Sequence, residues 1–278
     1  MNNNGKDKKP QSVMTRIKSE EFRDFLLDYA LYIILGVLIL AVIIYEPNFV
    51  SIINFTNILS QASTRAILAL GVAGLIVLRG TDLSAGRILG ITAAISASLL
   101  QKTDYAARMY PNLQALPIIV PLVAAILVGA AFGALNGFGV AKLKLHAFIA
   151  TLGTQLIAYG MLQTYIDRPP LGAQPISTLD QSYLNLVNGA FTIGGVKLPY
   201  LIFYAAGVAL IMYVVWNKTT LGKNMFAIGG NPEAAAVSGV NIVKNMMYIF
   251  IISGVLYGLA GFLEAARIGS VTSATGAN

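Results

Sequence analysis

Few side chains in this sequence are equipped for chemistry, and they gather in a handful of places. There is one histidine, His146, and no cysteine, so disulfides, thiolate nucleophiles and His- or Cys-based metal clusters are excluded. Thr81, Asp82 and Ser84 lie between Gly80 and Gly86. They offer hydroxyls and a carboxylate suited to a polyol, and Asp82 and Ser84 are equally suited to capping a following helix. Asn136 stands between Gly133 and Gly137 and is a second candidate for a polar path, or for a hydrogen bond between helices. Glu264 and Arg267 stand at a spacing that lets them pair on one helix face. They read as an interfacial pair whose long side chains reach toward water, with a substrate site as the alternative. The Asn231–Gly239 stretch carries a complete helix start and stop. Asn231 is an N-cap, Pro232 fits the first helical position, Glu233 favours the positive end, three alanines propagate, and Gly239 ends the helix. The segment before it, from Leu221, reads as a loop.

The elements that must position these residues are set by composition. Apolar residues make up 56% and charged residues 11% of the chain, with mean hydropathy +0.70. Soluble domains carry about 25% charged residues. The sequence therefore predicts an all-α integral membrane protein, a polytopic bundle of about seven spans. The charge-free runs are Tyr29–Tyr45, Ala66–Leu78, Ile88–Gln101, Pro117–Ala141, Leu145–Ile166, Leu198–Asn217 and Asn245–Leu263. The second and third each cover only about 20 Å at 1.5 Å per residue, against a hydrocarbon core of about 30 Å. Short, Gly-interrupted runs point to broken helices and a substrate path around Gly80–Gly86, with the two glycines allowing the chain to reverse. Gly129, Gly133 and Gly137, and again Gly254 and Gly258, recur every four residues and predict closely packed helices. The polar loop from Pro169 to Lys197 predicts a short helix or ribbon outside the membrane.

The net charge of +7 does not imply nucleic acid, because Lys and Arg sit in short loops between apolar runs. With the N-terminus inside, most of them fall in the tail, the Arg79–Arg87 turn, the Lys142–His146 turn and the segment 218–244, the positive-inside pattern. Residues 1–28 then form a cytoplasmic tail leading into an amphipathic approach helix. Residues 29–278 form the transmembrane domain, with a cytoplasmic loop at 218–244. The chain would end outside, in a polar stretch without a basic anchor, and reads as C-terminally incomplete.

Glu233-Ala234-Ala235, followed by Gly239 and then Ile249, resembles the "EAA" loop of ABC importer permeases, although Ile251 and Ile252 stand where Leu-Pro is expected. Gly80-Thr81-Asp82-Leu83-Ser84-Ala85-Gly86-Arg87 is similar to the "GIDLSVG" signature of the ribose/galactose branch of sugar permeases. Thr81, Arg87, the stretch Ala227–Ala235 and the stretch Leu263–Ser270 resemble the galactose/methyl-galactoside type within that family. The resemblance runs through nearly the whole chain. It implies a permease subunit of a binding-protein-dependent ABC importer that moves galactose, a methyl-galactoside or a related monosaccharide across the bacterial inner membrane. Asn231, Pro232, Glu233, Ala234, Ala235, Ser238 and Gly239 would form the helix that couples to an ABC ATPase. Thr81, Asp82, Ser84 and Asn136 would line the path. The implied partners are that ATPase, a periplasmic or lipid-anchored sugar-binding protein, a second permease copy and membrane lipid. No cofactor or nucleic acid is implied.

The chain has no G-x-x-x-x-G-K-[ST] run, so ATP chemistry belongs to a partner. A secondary transporter or channel is the alternative. It is disfavoured because the spans hold almost no ionisable groups beyond Asp82 and Glu264. A membrane enzyme is disfavoured by the lack of clustered acid–base groups.

Overall fold

The computed structural model describes residues 22–168, 170 and 172–277. The basic residues expected in the tail, from Lys6 to Lys18, lie outside them. Contacts divide the chain into two units, Met1–Phe55 and Thr56–Asn278.

In the first unit, helix α1 (Phe22–Asp28) meets α2 (Ala30–Tyr45) at a bend of 70°. The sequence of α2 is apolar on every face, as a lipid-embedded helix requires. A single 3-10 turn, Pro47–Val50, follows it.

The second unit is built on α11 (Ile242–Ile268), which packs along α5 (Ile119–Gly137) and α4 (Ala85–Leu99). Small residues permit this. A Cβ on Gly129 would stand 2.2 Å from the Gly254 carbonyl oxygen, and one on Gly258 would stand 2.4 Å from that of Ala125. The glycine periodicity is therefore a backbone-to-backbone seam between α5 and α11. Helix α4 packs on α5 and on α6 (Ala147–Ile166). The core joins Ile67 of α3 (Ile52–Val77), Ile88 and Ile91 of α4, Leu162 of α6, and Tyr257 and Phe262 of α11.

Among the described residues, four helices are long and apolar enough to cross a membrane, namely Ile52–Val77, Ile119–Lys142, Tyr200–Lys218 and Ile242–Ile268; a fifth is added if α1 and α2 count as one bent span. The chain is a polytopic membrane helix bundle, and each expected run falls on a helix. The second run, however, is not short. It belongs to α3, which continues unbroken for 26 residues through Arg65. A charge-free window stops at the first cation, whereas a helix can carry that cation on one face. Of the two runs expected to be short, only the third is, as α4, with 15 residues of which eleven are buried, and it is an interior helix.

The Pro169–Lys197 loop supplies both elements expected of it. Helix α7 (Gln181–Asn188) is capped by Asp180, whose carboxylate accepts from the Ser182 amide at 2.8 Å. It buries Tyr183, whose hydroxyl donates to the Phe262 carbonyl. Strands β1 (Ala190–Ile193) and β2 (Val196–Pro199) pair antiparallel, Ala190 opposite Pro199. Their turn residues, Gly194 and Gly195, have φ of 59° and 83°, the conformation a two-residue hairpin demands.

Candidate functional site

Three of the four candidate path residues come together where α3 gives way to α4. Two backbone bonds close α3, Arg79 N–H to Ile76 at 2.9 Å and Gly80 N–H to Leu75 at 2.8 Å. The residue in the left-handed region is Arg79, with φ of 58°, and not Gly80 or Gly86. A side chain there costs about 1–2 kcal/mol. The Arg79 guanidinium is held in return, donating to the Gly230 carbonyl at 3.0 Å.

Past the reversal, one Asp82 carboxylate oxygen accepts from the Ser84 amide at 2.8 Å and from the Ser84 hydroxyl at 2.6 Å. The other accepts from the Tyr257 hydroxyl at 2.9 Å. The Asn136 amide donates to the Ser84 hydroxyl at 2.8 Å. Capping is thus divided: Asp82 satisfies an amide at the start of α4, while the Ser84 side chain makes no capping bond. Thr81 stands apart and exposed. Its carbonyl lies 3.2 Å from the hydroxyl of Thr151, which also accepts from the Leu83 amide at 3.2 Å. Asp82, Ser84, Asn136 and Tyr257 form a clasp that pins the break to α5 and α11. Most of its hydrogen-bonding capacity is used internally. The exception is the buried Asn136 carbonyl oxygen, which has no partner among the described residues. Sequence reasoning missed Tyr257 and Thr151, and neither carries a local signal beyond Tyr257's place in the Gly254–Gly258 stripe.

The second constellation is an arm of two helices. The stretch expected to be a loop before Asn231 is helix α9 (Thr220–Gly230), started by Thr219, whose hydroxyl accepts from the Gly222 amide at 3.3 Å. Tertiary contact fixes it. A Cβ on Gly222 would stand 1.9 Å from the Trp216 carbonyl oxygen, and one on Gly229 would stand 2.0 Å from that of Val77. Asn224 donates to Asn245 of α11 at 3.1 Å. Helix α10 (Pro232–Val237) follows as the sequence lays out. Asn231 accepts from the Ala234 amide at 3.1 Å, and the Ser238 hydroxyl donates to the Ala234 carbonyl at 2.9 Å. Gly239 turns left-handed at φ 83°, and the Val240 amide returns to Ala235 at 3.0 Å. Ala235 is buried, while Pro232, Glu233, Ala234 and Ala236 face outward and Val237 is 91% exposed. The Arg79–Gly230 bond joins the base of this arm to the helix break.

Glu264 and Arg267 do pair, Nε to one carboxylate oxygen at 2.8 Å and Nη2 to the other at 2.7 Å. Their side chains are only 16% and 20% exposed, and the Thr64 hydroxyl donates to Glu264 at 2.7 Å. The fork-to-fork geometry holds them against α3.

The family described as branched-chain amino acid transport system / permease component matches residues 54–278. The galactose/methyl galactoside import permease of Haemophilus influenzae is 44% identical over 263 residues, covering 95% of this chain and 78% of that protein. The protein of the same name from Escherichia coli is also 44% identical, with the same coverage. The ribose import permease of Escherichia coli is 34% identical over 255 residues, 91% of this chain and 73% of that protein. No solved structure matches the chain.

Proposed function

The chain belongs to the family of branched-chain amino acid transport system permease components, and from that premise we propose that it is the membrane-spanning permease subunit of an ATP-driven importer for galactose, methyl-galactoside or a closely related monosaccharide. The relatives at 44% identity carry the choice of sugar. The geometry that supports the coupling role is α10, a short, fully capped helix on a braced arm. Its outer face, from Pro232 to Val237, is free for a partner. An ABC ATPase would dock there, against Asn231, Pro232, Glu233, Ala234, Ala235, Ser238 and Gly239. ATP-driven displacement of the arm would reach the α3–α4 break through Arg79 and through the Gly229–Val77 contact. Two permease copies would flank the path, and a sugar-binding protein would deliver cargo at the opposite face.

The same reading places the N-terminal tail, the break and the α9–α10 arm on the cytoplasmic side of the inner membrane. Asn136 near the end of α5 and the arm lie toward one end of the helices, and the break joins them through Ser84 and Arg79 while it bonds Tyr257 midway along α11. The two loops carrying Lys102 with Arg108 and Asp180 lie at the other, where Asp180 N–H bonds to the Leu100 carbonyl. Asp82, Ser84 and Asn136 act here as the clasp of the break beside the path, with Thr81 exposed at its edge.

Uptake of labelled galactose, ribose and xylose by membranes holding the complete transporter tests the proposal. ATP-dependent preference for galactose is expected. Preference for ribose overturns the sugar assignment, and uptake that persists without ATP overturns the coupling to an ATPase.

A further inference from the structure

A cavity of about 340 Å³ opens between α3, α4, the end of α11 and the returning segment 269–277. Its volume falls within the range of small-molecule sites, about 300–1,000 Å³. It lies at the end of α11 remote from the arm, since Glu264 is about 28 Å along the helix from Asn245 at 1.5 Å per residue. Its polar wall is Thr64, Arg65, Glu264, Arg267, Thr272 and Thr275, and Leu68 and Leu89 supply an apolar face. Gly86 also lines it, two residues beyond Ser84 of the clasp. The wall approaches closely there because Gly276, at φ 74°, has no side chain; a Cβ would stand 1.8 Å from the Gly86 carbonyl oxygen.

Charged side chains inside a membrane bundle are costly and tend to mark pathways. Here they are arranged to leave capacity for a ligand. The Glu264 carboxylate receives two bonds from Arg267 and one from Thr64. A carboxylate has about four acceptor positions, so one remains. Arg267 uses two of its donors on Glu264, leaving others of its five. The Arg65 guanidinium is exposed in the wall and donates no hydrogen bond to any described residue. A carboxylate flanked by donor-rich guanidinium groups, hydroxyls and an aliphatic face matches an uncharged polyol ring. The ring hydroxyls meet the charged groups while its C–H face meets Leu68 and Leu89. Glu264 offsets one of the two guanidinium charges in the wall.

On the importer reading above, we infer that this cavity is a monosaccharide-binding subsite of the permease, with Glu264, Arg267, Arg65 and Thr64 holding ring hydroxyls ahead of the helix break. The test uses the complete transporter, with its ATPase and sugar-binding protein, in proteoliposomes. Galactose imported per ATP hydrolysed is measured, together with the preference for galactose over its deoxy analogues. Glu264→Gln and Arg65→Gln are each expected to lower galactose import per ATP about tenfold, the effect of one lost hydrogen bond to a charged group. Each is also expected to narrow the preference against at least one deoxy analogue, which a purely structural defect would leave intact. Arg65→Gln removes no hydrogen bond among the described residues and only weakens the attraction to Glu264, so it carries the test if Glu264→Gln does not assemble. Wild-type stoichiometry and preference in Arg65→Gln, or inhibition of import by sugar phosphates but not by free sugars, overturns the subsite. A wild-type complex that imports no monosaccharide overturns the importer reading instead.

Discussion

Asp82 gathers three hydrogen bonds onto its carboxylate, two from Ser84 and one from Tyr257, and so ties a loop to a helix far away in the sequence. Bonds to a charged group contribute about 1.5–3 kcal/mol each. Tyr257→Phe is therefore expected to lower the melting temperature of the purified protein. It should also speed labelling of a cysteine placed at Thr81, a simple probe in a chain without native cysteine. Unchanged melting and labelling would show that the clasp does not hold the break. At Gly239 the left-handed φ of 83° adds about 1–2 kcal/mol of strain to any side chain. A bulky one, as in Gly239→Leu, would also stand at the rim of the docking face. Uptake should disappear while membrane insertion, read by fractionation, persists. Surviving uptake would sink the docking assignment.

At the scale of elements, the α5–α11 seam and the α9–α10 arm depend on glycine for different reasons. In the seam, no atom fits between the two backbones. A Cβ on Gly254 would stand 2.1 Å from the Gly129 carbonyl oxygen, whereas one on Gly207 of α8 (Tyr200–Lys218) meets nothing within 4 Å. Gly254→Ala should cost at least about 1–3 kcal/mol, the usual penalty of overpacking. Gly207→Ala should be neutral, or stabilising by about 0.4–1 kcal/mol. Thermal unfolding in detergent that ranks the two variants the other way would contradict the seam. In the arm, Gly229 allows α9 to rest on the end of α3, and Asn231 starts α10. Losing that cap, as in Asn231→Ala, costs about 1 kcal/mol, enough to fray a six-residue helix.

For the whole molecule, the decisive matter is which surface faces which compartment. Val237 on α10 is 91% exposed, and Thr192 in the hairpin lies at the other end of the fold, beside α7. In single-cysteine variants, Val237→Cys should react with a membrane-impermeant maleimide only in inside-out vesicles, and Thr192→Cys only in right-side-out ones. Addition of the ATPase partner should protect Val237→Cys. The reverse sidedness would invert the topology, and absence of protection would remove α10 from the ATPase interface.

The sequence by itself determined the solvent, the helices and the local chemistry of their ends. Composition demanded a bilayer, glycine spacing marked the packed faces, and Asn231, Pro232 and Gly239 defined α10, because capping and periodicity operate within a turn or two. Charge marked the ends of the spans only in part. Arg65 looked like the end of a span and lies inside α3, while Glu264 and Arg267 pair near the end of α11 as their spacing implied and also line a cavity. Only the tertiary structure brought Tyr257 to Asp82 across 175 residues, Thr64 to Glu264 across 200, and Arg79 to Gly230 across 151. Such pairs leave no trace in local periodicity. The close approach of glycine-faced backbones sets which polar groups meet, and that approach exists only when the helices are assembled.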